Sequence, residues 1–107
     1  AELGKDAEAT AAVNLVRDRA QASRYSGGGG ADLKNFIFLE RERELIGEGI
    51  RYFDLIRTRR ILSSEWTMSP LTLDQYNRGG WTWPIDPSAL NNNPHMKLNE
   101  YWTTIGR

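Results

Sequence analysis

A chain of 107 residues with 39% hydrophobic and 26% charged residues is long enough to bury one core and short for two domains. Its 14 Lys and Arg balance 14 Asp and Glu, so no long-range field favours nucleic acid or an anionic membrane surface. Cysteine is absent, which excludes a disulfide framework, a thiolate nucleophile and a cysteine metal site. The apolar runs of a few residues fall far short of the roughly 20 that a bilayer-spanning helix requires.

The first six residues carry neither an initiator Met nor the charged-then-apolar pattern of a signal peptide, and they read as the continuation of something longer. Gly4 marks a tight turn between the end of one helix and the start of the next. From residue 6 to 23, Ala9, Ala12, Val13, Val16 and Ala20 recur at three- and four-residue steps, with Arg17, Asp18 and Arg19 toward the other side. That spacing predicts an amphipathic helix whose small residues suit the close approach of a second helix. The four glycines from Gly27 to Gly30 predict a mobile loop. They lack the preceding strand and the following Gly-Lys-Ser/Thr of a phosphate-cradling loop.

A second helical stretch is expected over 32 to 59, capped by Asp32. Phe36, Leu39, Ile46, Ile50 and Phe53 fall on one face of it, and Arg41, Glu44, Glu48, Arg51, Asp54 and Arg57 form a second row of alternating sign. Adjacent members of that row can pair along a helix for roughly 0.2–0.5 kcal/mol each, which defines a structural ion-pair row. Gly47 and Gly49 each cost about 1 kcal/mol relative to Ala in a helix interior, so a bend or break is expected there. Glu40, Glu44 and Glu48 have the residue type and repetition of a glycosidase carboxylate pair. The interleaved arginines make the ion-pair reading the one the residues carry, and no catalytic residue is assigned.

After Arg60 the helical periodicity is lost, and the Pro, Gly, Ser and Asn content predicts turns and irregular chain. Trp66, Trp81, Trp83, Tyr101 and Trp102 concentrate there. Two roles compete for them: anchoring a loop-rich segment, or stacking an indole face on a sugar ring, for which Trp81 and Trp83 are the candidates. His95 has no second histidine or acidic triplet near it, so no metal site is expected. No cofactor is implied.

The stretch FLERERELIGEGIRYFDLIRTRR, from Phe38 to Arg60, resembles the charged signature of the SusD/RagB family at Glu40, Arg41, Arg43, Glu44, Leu45, Glu48, Gly49, Arg51, Asp54, Leu55 and Arg57. A second block, WPIDPSALNNNP, resembles the family's closing pattern at Pro84, Ile85, Pro87, Asn93 and Pro94. Gly4-Lys5, Glu8-Ala9, Asn14 to Arg17 and Arg19-Ala20 are similar to its final tetratricopeptide-like helix pair. The sequence departs from the usual family ending after Lys97 and carries Ala89 where an acidic residue is common.

The resemblance implies a mainly α fold. A tetratricopeptide-like helical pair and a bent long helix would occupy residues 1–60, and an irregular segment, 61–107, would pack on the helices. The whole would be the C-terminal part of a longer protein. It also implies a non-enzymatic outer-membrane lipoprotein of a Gram-negative bacterium. Such a protein captures an oligosaccharide or other nutrient beside a SusC-like TonB-dependent transporter, and its lipid-bearing cysteine would precede Ala1. No nucleic-acid partner is implied, and the resemblance carries over no binding residue. The competing class is a generic tetratricopeptide-type module that holds a protein partner in its helix grooves.

Overall fold

The computed structural model describes residues 1–105, and the described residues contain helices and turns but no strand. The elements in order are α1 (Asp6–Arg19), α2 (Gly30–Glu44), α3 (Arg51–Arg57), a 3-10 turn (Arg60–Leu62), α4 (Leu73–Asn77), α5 (Pro87–Asn92) and α6 (Glu100–Ile105). The chain forms two compact units, 1–51 and 52–107.

In the first unit α1 ends four residues earlier than its periodicity predicted. Gln21 adopts a left-handed φ of 54°, its N–H bonds the Asp18 carbonyl, and the Ala22 N–H reaches back to the Arg17 carbonyl at 2.9 Å. These two bonds are the closing pair that normally goes with a glycine or asparagine at that position. A glutamine there gives no sequence signal, which is why the helix looked longer.

The loop that follows is held by specific bonds, contrary to the mobility expected of its glycines. Asn14 clamps the Tyr25 backbone, donating to its carbonyl and accepting from its N–H at 2.7 Å. The Tyr25 ring packs on Phe36 with centroids 4.4 Å apart, and its hydroxyl donates to the Gly28 carbonyl at 2.6 Å. The Asp6 carboxylate accepts from the Gly30 N–H at 2.6 Å. α2 therefore starts two residues before Asp32, with an acid from the start of α1 serving its first turn. Glycine is needed at this crossing because a Cβ on Gly29 would run into that carboxylate.

The long helix expected over 32 to 59 is two helices. α2 stops at Glu44, and residues 45–49 form turns in which Gly47 and Gly49 both take positive φ, 81° and 72°. The break resets the helical phase, so the apolar face drawn through Phe36, Leu39, Ile46, Ile50 and Phe53 does not exist as one face. Ile46 is 83% exposed, whereas Leu33 and Phe38 are buried and Val13 of α1 is buried with them in the same unit.

The second unit is less irregular than its composition suggested, because three short helices punctuate it. Its core is Leu55, Ile61 and Tyr101. α4 opens on a reciprocal capping box: Thr72 accepts from the Gln75 N–H, and the Gln75 side chain accepts from the Thr72 N–H at 2.8 Å. Tyr76 donates from its hydroxyl to the Ile56 carbonyl, and Leu71 N–H to the Ile61 carbonyl at 3.0 Å. These bonds tie the polar chain around the core. Gly79, at φ 82°, passes so near the Asn99 side chain that no Cβ fits without displacing it.

Two backbone features give sign tests. Inside a continuous helix, Gly47→Ala and Gly49→Ala would each stabilise by about 1 kcal/mol. At the observed left-handed positions, with nothing near the added methyl, each is expected to destabilise by about 1 kcal/mol. Gln21→Gly is expected to stabilise by about 0.5–1 kcal/mol by relieving the left-handed strain. Urea unfolding of the three variants checks both.

Candidate functional site

The charged residues were predicted as one row on one helix. The structure distributes them over α2, the break and α3, and it recruits α1 as well. Glu44 pairs with Arg19 of α1, Arg51 pairs with Glu42, and Asp54 pairs with Arg57 within α3 at 3.0 Å. Glu48 lies exposed in the break, so the Arg41-Glu44-Glu48-Arg51 run does not act as a continuous ladder. The physical reason is the glycine-bearing turn, which removes the i, i+3 and i, i+4 relations across it.

The most buried ion pair was not legible as part of that row. Glu40 is 5% exposed and accepts from Arg17 of α1 at 2.6 Å and from Arg43 at 2.9 Å. The same Arg17 guanidinium lies over the Phe36 ring, 5.2 Å from its centroid, and donates to the Ser23 carbonyl. No local spacing announces a partner 23 residues away. The only hint was Arg17 itself, opposite the small-residue face of an otherwise Ala-rich helix.

Beside this cluster a groove of about 530 Å³ opens between α1 and α2. Ala9, Ala12, Val13, Val16, Ile37 and Leu45 make its apolar floor, and Arg19, Glu40, Arg41 and Glu44 line its margin. Ala9, Ala12, Val13 and Val16, four of the small residues singled out from the sequence, thus line an open groove. Its walls are aliphatic, without a ring on which a sugar can stack.

In the second unit the aromatic residues divide into anchors and open rings. Tyr101 is buried, and Trp102 donates its indole N–H to the Thr82 carbonyl at 2.8 Å. Arg60 lies over Trp66 at 4.9 Å. These three anchor the chain. Trp81 and Trp83 stay open, 37% and 78% exposed, on a cleft of about 320 Å³ shared with Tyr52, Phe53, Ile56 and Thr82. Tyr52 sits in its wall, donating from its hydroxyl to the Trp81 carbonyl at 2.6 Å, with its ring 6.4 Å from that of Trp83.

Two carboxylates are shifted by identifiable partners. Arg24 forks onto Asp18 with bonds of 2.8 and 2.5 Å, which holds the Asp18 carboxyl below its ordinary range and raises the arginine. The Ser88 hydroxyl and N–H both donate to Asp86, which lowers its pKa as it caps α5. Both are surface arrangements that position chain. Among the described residues no group of three or more His, Cys, Asp or Glu side chains is arranged to hold a metal ion, and no helix is long and apolar enough to cross a membrane.

Comparison with known proteins places this architecture. The profile of the SusD family matches residues 1–102. The chain belongs to the SusD family. It is 30% identical, across 92% of its length, to SusD-like protein P38 of Formosa agariphila. The crystal structure of a SusD homolog from Bacteroides thetaiotaomicron superposes with a TM-score of 0.79 at 45% identity over 89% of the chain. In both cases the chain spans 20% of the relative's length.

The SusD signature can now be located on the fold. Its charged block covers the second half of α2, the glycine break and α3. Its closing block runs from Trp83 through α5, where Pro87 takes the first helical position behind the Asp86 cap, as its fixed φ favours.

Burial separates the ion pairs energetically. Removing Glu40 leaves two arginines around a desolvated position, so Glu40→Ala is expected to cost about 3–5 kcal/mol. Glu44→Ala and Arg51→Ala, whose pairs are partly solvated, are expected to cost less than about 1 kcal/mol each. Equilibrium denaturation of the three variants gives the comparison.

Proposed function

We propose that the protein is the nutrient-capturing component of an outer-membrane import system, binding oligosaccharides and delivering them to a SusC-like TonB-dependent transporter. SusD family proteins are binding proteins rather than enzymes, and this chain is read as part of such a protein. The observation that carries the reading is the match of the family profile over residues 1–102, supported by the 0.79 TM-score to a SusD homolog. On this reading the protein sits on the bacterial surface, held by a lipid on a cysteine outside these residues, and performs no covalent chemistry.

The ion pairs support a scaffold role for the family's charged block. Arg17 and Arg43 both pair with the buried Glu40, and Arg57 pairs with the buried Asp54, which favours bracing over ligand contact for the two carboxylates.

Calorimetry on the full-length protein with maltohexaose, xylohexaose, laminarihexaose and mannohexaose tests the reading. Saturable binding of at least one glycan is expected, together with co-purification of a large TonB-dependent barrel from membranes. Arg51→Ala is expected to leave the affinity for that glycan within about twofold, because its partner is Glu42 and the pair is partly solvated. Absence of both glycan binding and the barrel would favour the protein-interaction module instead.

A further inference from the structure

The second unit carries an open cleft rich in ring surface and short of free polar side-chain groups. Tyr52, Phe53, Ile56, Trp81, Thr82 and Trp83 line about 320 Å³, and none of them carries a charge. A ligand site of this size fixes its occupant with a few polar groups converging on it. Here both lining side-chain hydroxyls already donate to backbone carbonyls. Tyr52 donates to the Trp81 carbonyl, and Thr82 donates to the Gly79 carbonyl at 2.7 Å while accepting from the Trp102 indole.

What the cleft offers instead is ring surface. Trp83 is 78% exposed and Phe53 63%, and Tyr52 lies between them, edge-on to Phe53 at 6.0 Å and tilted to Trp83 at 6.4 Å. Clustered exposed rings of this kind mark a surface that another molecule or further chain covers. The source of the cover is suggested by length: the chain spans 20% of each relative, so most of a SusD-type polypeptide lies outside these residues.

We propose that the cleft is an internal seat, filled in the full-length protein by an uncharged apolar segment of the same polypeptide from outside residues 1–107. Trp81 and Trp83 are then interior packing residues and not glycan contacts. This goes beyond the nutrient-binding reading, which requires a glycan site without locating it.

Hydroxyl-radical footprinting of the purified full-length protein, without glycan or transporter, tests the proposal. With the cleft open, Trp83 would oxidise faster than Trp81, because its exposure is 78% against 37%. With the cleft filled, Trp83 is protected to the level of Trp81 or below it. Phe53→Asp is expected to lower the melting temperature of the full-length protein, and Phe53→Leu to restore most of the loss. Trp83 oxidising faster than Trp81 in the wild-type protein overturns the proposal. In that event, protection on adding maltohexaose would assign the cleft to nutrient, and protection only in the transporter complex would assign it to that partner. A wild-type protein that binds none of the four glycans and co-purifies no barrel while Trp83 stays protected counts against the nutrient reading and leaves the seat intact.

Discussion

A carboxylate removed from water must find compensating donors or it opposes folding by several kcal/mol. Glu40 is in that position, and its donors come from two directions: Arg43 one turn along α2, and Arg17 from α1. Much of the first unit hangs on the second of these. Arg17 also covers Phe36 and holds the Ser23 carbonyl; Phe36 supports Tyr25; and the Tyr25 backbone is clamped by Asn14. One guanidinium thereby sets the register of α2 against α1 and the path of the glycine loop between them. The polar groups form a satisfied network, in which each bond fixes the geometry that the next one needs.

The same loop shows why composition is a poor guide to order. Four glycines in a row maximise the entropy lost on ordering, yet the segment is held by bonds from Asp6, Asn14 and Tyr25, and the Asp6 carboxylate leaves no room for a side chain at Gly29. Glycine is there because the backbone passes close to the start of α1. At Gly47 and Gly49 the reason differs. No neighbour crowds them, and it is their left-handed φ that turns the chain out of α2 and into α3.

Those two uses of glycine explain what was legible in the sequence and what was not. Helical class, the weak point near Gly47 and the family signature were all visible, because periodicity, propensity and charged spacing are local properties. The pairing of Glu40 with Arg17, of Glu44 with Arg19 and of Gly30 with Asp6 was not, since each joins residues more than 20 positions apart. The apolar face assigned through Phe53 failed for a related reason: a face is defined only within one helix, and the break gave α3 its own phase. The split among the aromatics was equally hidden. Whether an indole anchors the chain, as Trp102 does through Thr82, or stands open, as Trp83 does, depends on tertiary partners that spacing does not encode.

The distribution of charge bears on how such a protein separates holding its shape from holding its ligand. Three of the buried and half-buried carboxylates meet arginines: Glu40 with Arg17 and Arg43, Glu42 with Arg51, Asp54 with Arg57. Glu40 and Asp54, buried on these pairs, expose little oxygen surface to a sugar hydroxyl, and drawing either away from its arginine in a low-dielectric setting is unfavourable. The open surfaces, by contrast, are apolar: an aliphatic groove on the first unit and a ring-lined cleft on the second. Apolar surface is matched most simply by further protein, because a chain buries area without bringing hydroxyls that need partners. The electrostatics of this region therefore stiffen a scaffold, and its uncovered faces are suited to joining that scaffold to more of the same fold.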